Sequence, residues 1–568
     1  MISLTLVRDL VLLFLVALLG GGVARKLKLP LLTGYILGGF LFGAIFGRFM
    51  SFGVELANIG EIGVAFLLFT LGIEFSFRRL TRVSRVAFWG GTLQILATII
   101  LGLLIFPFFG FNFYSSLFLA AVFSLSSTAI VVRILSERGE IDSLHGEIMV
   151  GWLLVQDLAV LPMMVILPTL ATIDGRPWSA VVFAVGKSLI LLWLVLILGK
   201  RIVPKILSRI AAVGSRELLL LSVVTLCLAA AFGTSYLGLS FALGALFAGF
   251  LVSESSQNHA IFSEVRPLRD VFSVVFFVIL GLLLNSTFLF SHWGLILALT
   301  AILFFLKFTL VVILILWLGY HTKTAFLVGM GLVQVGEFAF ILTQVGITQN
   351  LITPDVYSLV LSVTVLSMIL TPALFGVAPK IYKGFKDFTN LHLGRLHTVL
   401  FTRFDHRIAQ EKFPLRNHVV ICGHGRVGKS IGEVLELAGI DYVVVDFNQS
   451  VISNLASLGK MVVYGDPSER EVLEAAGVDL AKALVIAVPD RYSQEMIIQN
   501  SLKANPKIIV LCRSHFEEDR EHLLATGAHA VIQPEFEAGL SIARELLTLM
   551  GKSPDEISAY FAKVKHIR

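Results

Sequence analysis

Charged residues are scarce in this sequence. They make up only 15% of its 568 residues, whereas hydrophobic residues make up 56%. This composition argues against a chain that is soluble throughout and is typical of a protein that lies mostly in a membrane. The net charge of +6 does not indicate nucleic-acid binding, because most basic residues of the apolar part lie in short loops between hydrophobic segments rather than in one patch. We therefore expect no nucleic-acid partner.

Cysteine is also scarce, and two diagnostic motifs are missing. The three cysteines, Cys227, Cys422 and Cys512, are far apart, make no metal-ligand spacing and are predicted to be small buried residues. No Thr-Val-Gly-Tyr-Gly filter is present, which argues against a ligand-gated channel. The N-terminus has no basic segment followed by a small-residue cleavage site, so the first apolar run is expected to be a retained helix.

Long apolar runs dominate the first two-thirds of the chain. Runs of spanning length fall at about 7–24, 30–47, 57–75, 84–108, 113–134, 147–170, 178–199, 216–235, 238–254, 269–286, 292–319, 323–348 and 355–378. They predict about thirteen transmembrane helices. Lysine and arginine cluster in every second loop, which predicts an N-terminus outside and a cytoplasmic C-terminus. Lys187, inside the seventh run, is expected to snorkel or to lie at a helix interface.

The sequence changes character after residue 378. Residues 379–416 are basic and of mixed polarity, and we interpret them as a linker, either a mechanical connection or a passive tether. Residues 417–535 alternate short apolar strands with helices, which predicts a parallel, doubly wound domain. Residues 536–568 are interpreted as a helical tail. The predicted fold class is a polytopic α-helical membrane domain, residues 1–378, followed by a cytoplasmic α/β Rossmann domain.

A glycine turn opens the α/β domain directly after its first predicted strand. Its three glycines are Gly423, Gly425 and Gly428. Such glycines let a phosphate approach a helix N-terminus, and Asp446, at the end of the next strand, is placed to accept from ribose hydroxyls. Arg426 is a further predicted phosphate contact, while Asp466 either faces the nucleotide or caps the helix that starts near Pro467. The alternative is an empty, vestigial turn.

An amide and a carboxylate lie side by side in the sixth apolar run. They are Gln156 and Asp157, and Pro162 follows, which leaves a backbone carbonyl near the acid without its helical partner. An ionisable group at that depth is costly and is therefore a candidate functional site. The alternative is a structural acid that pairs with a neighbouring helix.

Two other runs carry small and polar residues that are expected to interrupt a helix. The fifth contains Ser126, Ser127 and Thr128, and the twelfth contains Gly329, Gly331, Gln334, Gly336 and Glu337. Two broken segments in different halves of a chain point to a midplane site in a transporter with inverted repeats. Simple close packing by small residues is the alternative.

A lysine lies deep in the eleventh run. Lys307 is expected to need a carboxylate partner at that depth, with Asp157 as the first candidate and Glu337 as the second. A purely structural ion pair is the alternative.

Taken together, these motifs resemble the Kef-type members of the cation:proton antiporter 2 family. The resemblance rests on the segments 124–130 with 136–138, 156–157 with Pro162, 334–340, 66–74 and 241–249. It covers nearly the whole chain and includes a C-terminal domain similar to the RCK-type (KTN) nucleotide-binding module that regulates potassium channels and transporters. The fold it implies is sodium/proton antiporter-like.

The resemblance implies exchange of a monovalent cation, K⁺ first of all, for H⁺ by an elevator-like or rocking movement in a homodimer in the cell inner membrane. The implied transport residues are Gln156, Asp157, Lys307, Glu337, Ser126, Ser127 and Thr128. The implied ligand of the cytoplasmic domain is an adenine nucleotide: AMP, ATP or NAD(H). Membrane lipid and an ancillary cytoplasmic regulator are implied partners. Na⁺/H⁺ exchange and a nucleotide-gated, channel-like transporter are the alternatives.

These residues suggest a mechanism and favour a transporter over an enzyme. We expect Asp157 to bind a cation and a proton alternately, while Gln156 supplies a neutral oxygen to a partly dehydrated cation. A dehydrogenase is not expected, because no second substrate domain follows the Rossmann unit.

Overall fold

The structure is a computed structural model that describes most of the chain. The described residues are 4–27, 29–46, 54–74, 85–141, 143–171, 186, 203–236, 241–253, 255, 257–284, 286–348, 351–394 and 415–567. Their contacts divide the chain into two compact units. The first unit comprises Met1–Val131, Ile148–Leu314 and Val328–Val377, and the second comprises Val132–Glu147, Ile315–Leu327 and Ala378–Arg568.

Helices make up the apolar part of the chain. They are α1 (Leu4–Lys26), α2 (Leu31–Phe46), α3 (Val54–Glu74), α4 (Arg85–Ile105), α5 (Phe113–Ser124), α6 (Thr128–Glu137), α7 (Leu144–Ala171), α8 (Val203–Ala212), α9 (Arg216–Tyr236), α10 (Phe241–Ser253), α11 (Asn258–Leu282), α12 (Ser286–Ser291), α13 (Trp293–Trp317), α14 (Thr322–Gly331), α15 (Phe338–Thr348) and α16 (Pro354–His392). A short 3₁₀ helix, Phe106–Phe109, follows α4. Among the described residues, seven helical stretches are long and apolar enough to cross a membrane, and four apolar helices are shorter.

These helices match the predicted runs closely wherever the structure describes them. The seventh run, with Lys187, lies outside the described residues apart from Gly186, so the count of thirteen stays a prediction. Two helices were not predicted: α12 falls between the tenth and eleventh runs, and α8 lies in a segment interpreted as a basic loop. Its Leu207 is buried while Lys205 and Arg209 are exposed, because the apolar residues there recur at helical spacing.

Helix α16 continues past the predicted boundary at residue 378. From Ala378 onward the helix packs in the second unit, where Ala378, Tyr382 and Thr389 are buried and Lys383 is exposed. The first part of the predicted linker is therefore an amphipathic extension of the last apolar helix. Residues 395–414 lie outside the described part of the chain.

Two helices of the first unit are broken, and their breaks cross. Residues 125–127 separate α5 from α6, and residues 332–337 separate α14 from α15. The Gly336 N–H donates to the Leu125 carbonyl over 3.2 Å, and the Ser126 hydroxyl donates to the Leu332 carbonyl over 2.9 Å. Both interruptions predicted from the sequence are present, and each break supplies backbone partners to the other.

A six-stranded sheet forms the core of the α/β domain in the second unit. Its strands are β1 (Val419–Cys422), β2 (Tyr442–Asp446), β3 (Val462–Tyr464), β4 (Ala483–Ile486), β5 (Ile509–Arg513) and β6 (Ala530–Ile532). The order is β3-β2-β1-β4-β5-β6, and every pair is parallel. Strands β2 and β3 lie on one side of β1, and strands β4 to β6 lie on the other side. The switch point between β1 and β4 is where ligands bind in doubly wound folds. The predicted Rossmann fold is confirmed.

Seven helices accompany this sheet. They are α17 (Arg426–Leu437), α18 (Gln449–Ser457), α19 (Arg470–Ala475), α20 (Arg491–Ala504), α21 (Glu517–Thr526), α22 (Pro534–Leu549) and α23 (Pro554–Ile567). The strands bury a core of aliphatic residues, among them Val420, Val443, Leu484 and Val510. The last two helices correspond to the predicted helical tail.

The crossing predicts a strict requirement for glycine at position 336. A Cβ there would lie 2.5 Å from the Ser126 carbonyl oxygen, closer than van der Waals contact permits, so the two breaks would have to separate. We expect Gly336→Ala to lower the thermal unfolding temperature of the detergent-solubilised protein and to reduce its folded yield, because overpacking costs about 1–3 kcal/mol.

The control for this prediction is Gly233→Ala in α9, where no heavy atom lies within 4 Å of the added Cβ. That change is expected to stabilise the helix by about 0.5–1 kcal/mol. Equal unfolding temperatures for the two variants would contradict the close approach at Gly336.

Candidate functional site

Helix α7 carries the predicted amide and acid to the break between α5 and α6. The Thr128 hydroxyl donates to Asp157 Oδ2 over 2.8 Å, and the Ser126 backbone N–H donates to Gln156 Oε1 over 2.7 Å. Both side chains are buried, with Asp157 only 6% exposed. The acid and the amide are therefore fixed to neighbouring residues of the same break.

A second amide supports the first. Gln156 Nε2 donates to Gln94 Oε1 over 2.7 Å, and Gln94 is fully buried in α4. Sequence reasoning missed Gln94. The available signal was the same one that identified Gln156, a side-chain amide inside an otherwise apolar helix.

The lysine of α13 does not have the partner that we predicted. Lys307 Nζ donates to the Leu125 carbonyl over 3.1 Å, the Ser126 hydroxyl over 2.9 Å and the Gln334 carbonyl over 2.7 Å. These three contacts use all three ammonium protons, so the expected pair with Asp157 or Glu337 is not formed. The reason is physical: a broken helix exposes carbonyls that carry partial negative charge, and these need donors.

Glu337 lies in the second break and contacts the first. The Ser127 hydroxyl donates to Glu337 Oε2 over 2.7 Å and also accepts from the Ile130 N–H over 3.3 Å. Adjacent hydroxyls, those of Ser127 and Thr128, thus hold the two acids Glu337 and Asp157. All seven transport residues predicted from the sequence meet at this crossing, which we call the crossing site. It combines carboxylate and hydroxyl oxygens that are able to hold either a proton or a cation.

The glycine turn of the α/β domain has the geometry that a bound phosphate needs. Gly423 has φ +93°, and a Cβ at Gly428 would lie 2.0 Å from the Gly423 carbonyl oxygen. Gly425 stands at the N-cap of α17, with no heavy atom within 4 Å of a built Cβ. Arg426, the first residue of that helix, is exposed. The turn therefore leaves open space in front of a helix N-terminus.

Asp446 closes the other side of this turn. Its Oδ2 accepts from the His424 N–H over 2.7 Å, and its Oδ1 accepts from the Asn448 N–H over 2.8 Å. Burial raises the pKa of this carboxyl in spite of those two backbone hydrogen bonds. Each oxygen keeps a lone pair, so contact with a ribose hydroxyl remains sterically and chemically open, and that role stays a prediction.

Asp466 is held by a lysine that sequence reasoning treated only as a topology marker. Lys323 Nζ donates to Asp466 Oδ2 over 2.7 Å and to the Ser493 hydroxyl over 2.6 Å. The other carboxylate oxygen accepts from the Ser468 N–H over 2.9 Å, a turn contact ahead of α19. Burial alone would raise the pKa of Asp466, but the attraction of Lys323 outweighs it and lowers the pKa to about 2. Asp466 is thus an ionised partner of Lys323.

The residue two positions before this lysine lies against the same edge of the sheet. The His321 ring centroid is 5.8 Å from that of Phe447 and 6.4 Å from that of Tyr464. Phe447 directly follows Asp446, and Tyr464 ends β3. Residues 321–323, which lead into α14, therefore lie at the carboxyl edge of the Rossmann sheet, beside the predicted nucleotide site.

Comparison with known proteins assigns the chain to a family. Residues 11–376 match the family described as sodium/hydrogen exchanger, transmembrane, and residues 419–534 match the TrkA-N domain. Since the first match covers more than half of the chain, the chain belongs to the sodium/hydrogen exchanger family. It is a multi-pass membrane protein of a transporter family with a C-terminal TrkA-N domain.

Two curated relatives illustrate the similarity. The putative cation/proton antiporter YbaL of Escherichia coli strain K12 is 33% identical over 561 residues, 97% of each chain. K(+) efflux antiporter 4 of Arabidopsis thaliana is 35% identical over 384 residues, 67% of this chain and 65% of the relative.

Two solved structures match the C-terminal part. The TrkA-N domain of the inner membrane protein YbaL from Escherichia coli is 29% identical, covers 24% of this chain and 98% of its own, and has a TM-score of 0.23. The Shewanella denitrificans Kef CTD in its AMP-bound form is 27% identical, covers 26% of this chain and 91% of its own, and has a TM-score of 0.24.

Proposed function

We propose that this protein exchanges a monovalent cation, K⁺, for H⁺, and that Asp157 carries both ions in turn. The observation that carries the proposal is the buried Asp157 carboxylate, held by the Thr128 hydroxyl where two broken helices cross. A carboxylate in such a place binds either a proton or a cation, and it does not bind both at once. Competition for one acid is sufficient to couple the two fluxes in opposite directions.

The other residues of the crossing site prepare it for a cation. Lys307 donates to carbonyls of both breaks and so stabilises the backbone that surrounds the site. Glu337, bound to Ser127, supplies a second acid. The hydroxyls of Thr128 and Ser127, which hold Asp157 and Glu337, are neutral oxygens that suit a large, weakly hydrated ion such as K⁺.

Two further observations bear on which cation is transported. Relatives are named K(+) efflux antiporters, which supports K⁺, whereas the family description names sodium, which supports Na⁺/H⁺ exchange as the second candidate. Ion gradients applied one at a time distinguish the two.

We further propose that two copies associate in the inner membrane, with the α/β domain in the cytoplasm. Helix α22 exposes an apolar stripe, Ile542, Leu546 and Leu549, continued by Met550. Such a stripe along one helix is a surface that a second copy would cover. The loop pattern of lysine and arginine supports the orientation.

The α/β domain is proposed to bind an adenine nucleotide (AMP, ATP or NAD(H)) that regulates transport. The open glycine turn and Asp446 supply the phosphate and ribose contacts. The route to the membrane is the buried pair of Lys323 and Asp466, because Lys323 is the second residue of α14 and the break with Gln334 and Glu337 follows that helix. This route supplements the linker that we proposed from the sequence.

The carrier role of Asp157 predicts the effect of neutralising it. Asp157→Asn keeps the shape of the side chain but cannot exchange a proton, so cation-driven proton flux in proteoliposomes should fall to the level of empty vesicles. Asp355→Asn, which changes an exposed acid in the first turn of α16, should transport normally. Flux in Asp157→Asn above about a tenth of the wild-type value would rule out this acid as the carrier. K⁺ and Na⁺ gradients are tested separately, and a response to Na⁺ alone would reject K⁺ as the substrate.

The nucleotide proposal predicts weaker binding when Asp446 is removed. Charge-assisted hydrogen bonds contribute about 1.5–3 kcal/mol, so Asp446→Ala should raise the dissociation constant of AMP or ATP by roughly tenfold or more in calorimetry on the full-length protein. Asp441→Ala, at an exposed position before β2, serves as the matched control. Identical affinities in both variants would mean that Asp446 only holds the glycine turn.

The Lys323 route predicts that binding and regulation can be separated. Lys323→Met with Asp466→Asn removes both charges, which avoids the penalty of about 3–5 kcal/mol for leaving one buried charge alone. We expect this double variant to bind nucleotide and to transport, but with flux that no longer responds to nucleotide. Lys552→Gln, in an exposed pair with Glu556, should keep the response. A full nucleotide response in the double variant would contradict the Lys323 route and favour control through the linker, residues 379–416.

A further inference from the structure

A chain of two side-chain amides runs from α4 to the crossing site. Gln94 Nε2 donates to the Ser124 carbonyl and to the Thr98 hydroxyl, each over 3.1 Å. Its Oε1 accepts from Gln156 Nε2 over 2.7 Å. Gln156 Oε1 in turn accepts from the Ser126 N–H over 2.7 Å. We call Gln94 and Gln156 with these contacts the amide relay.

The direction of the amide relay is fixed at both ends. A backbone carbonyl only accepts, so the Gln94 group at Ser124 must be the NH₂. A backbone N–H only donates, so the Gln156 group at Ser126 must be the oxygen. The contact between the two amides then follows without any choice of flip. Neither amide can rotate without leaving a buried backbone group unpaired.

The backbone groups at the two ends of the relay are those that a helix break leaves without partners. The Ser124 carbonyl ends α5, and the Ser126 N–H lies inside the break. In a continuous helix both would bond along the chain. Ser124 and Ser126 are buried inside the protein, where side chains take the place of those bonds. Gln94 supplies the donor and Gln156 the acceptor.

We propose that Gln94 is a positioning residue of the exchange site and that Gln156 acts with it as a spacer rather than as a cation ligand. This inference rests on the proposed exchange function. The amide relay holds the break in the shape that places Thr128 on Asp157 and Ser126 on Lys307. The hydrogen bonds of Gln94 among the described residues go to Ser124, Thr98 and Gln156, so its influence on the ion passes through the break.

Gln94→Leu tests the relay by removing both polar groups at a similar volume. The control, Thr98→Val, removes the hydroxyl that accepts from Gln94 Nε2. It keeps the hydrogen bond between Gln94 and Gln156. Gln94→Leu leaves the Ser124 carbonyl and Gln156 Nε2 buried without the partners that Gln94 supplies, which is costly for each group. We expect Gln94→Leu to lower the maximal flux by at least about tenfold. The apparent KM for K⁺ and the ratio of K⁺ to Na⁺ flux should stay as in the wild type.

Gln94→Glu tests the same relay in a variant that retains hydrogen-bonding capacity. A protonated carboxyl donates through its O–H to the Ser124 carbonyl and accepts from Gln156, whereas the ionised form has no donor for Ser124. Flux in Gln94→Glu, divided by flux in Thr98→Val at each pH, should therefore fall as the pH rises. The titratable groups of the crossing site, Asp157, Lys307 and Glu337, are common to both variants and cancel in this ratio.

The outcomes are distinct. A lower maximal flux in Gln94→Leu with unchanged KM and ion ratio, together with the falling ratio for Gln94→Glu, supports the relay. A changed KM or ion ratio in Gln94→Leu would make Gln156 a cation ligand and overturn the proposal, as would wild-type flux in Gln94→Leu. If Gln94→Leu does not fold, a pH-independent ratio for Gln94→Glu overturns it as well. Absence of flux in the wild type and in Thr98→Val would instead refute the exchange function itself.

Discussion

The constraint on which this structure depends is the need to pair backbone polar groups inside a membrane. Two helices are broken at buried positions, and each break frees carbonyls and N–H groups that need partners in the protein or in a water-filled cavity. The crossing pairs some of them directly, as between Gly336 and Leu125. Side chains pair the others: Lys307 takes the carbonyls of Leu125 and Gln334, and Gln156 takes the Ser126 N–H. Ser367, from α16, accepts from the Val335 N–H over 3.1 Å. The polar residues of the membrane unit are concentrated at this point because the breaks require them there.

This requirement explains why acids and a lysine can share a buried site without forming a simple ion pair. A buried pair of opposite charges gains attraction but loses hydration, and each partner then resists a change in the charge of the other. Here the ammonium of Lys307 is stabilised by carbonyls and one hydroxyl, and Asp157 is stabilised by the Thr128 hydroxyl. In the mechanism that we propose, Asp157 changes its bound ion without breaking the contacts that hold the lysine. For a carrier, this separation of structural from exchanging charge is more useful than a strong pair.

Much of this could be predicted from the sequence, and the failures have definite causes. Apolar runs located most of the described helices of the membrane part, and short apolar segments located the Rossmann strands, because both signals are local. Burial cost singled out Asp157 and Lys307, which both contact the break between α5 and α6, while their roles stay predictions. It did not identify the partner of Lys307, because backbone carbonyls carry no sequence signal and a carboxylate appears as the only obvious counterion. The pair of Lys323 and Asp466 was missed for a related reason: it joins residues far apart in the chain, and Lys323 alone looked like an ordinary loop charge.

The position of Lys323 supplies a physical route for the nucleotide control that we propose. A ligand changes transport only if its binding free energy differs between transport states. The carboxyl edge of the Rossmann sheet carries the glycine turn and Asp446, and the His321–Lys323 segment contacts the same edge at Phe447 and Asp466. A nucleotide that moves the loop after β2 by a fraction of an ångström therefore acts on the residues that begin α14. A helix transmits such a displacement along its axis better than a loop does, and α14 ends at the break that holds Gln334 and Glu337. A difference of about 1.4 kcal/mol between states would change their ratio tenfold, which is within the range that one buried, hydrogen-bonded ion pair is able to supply.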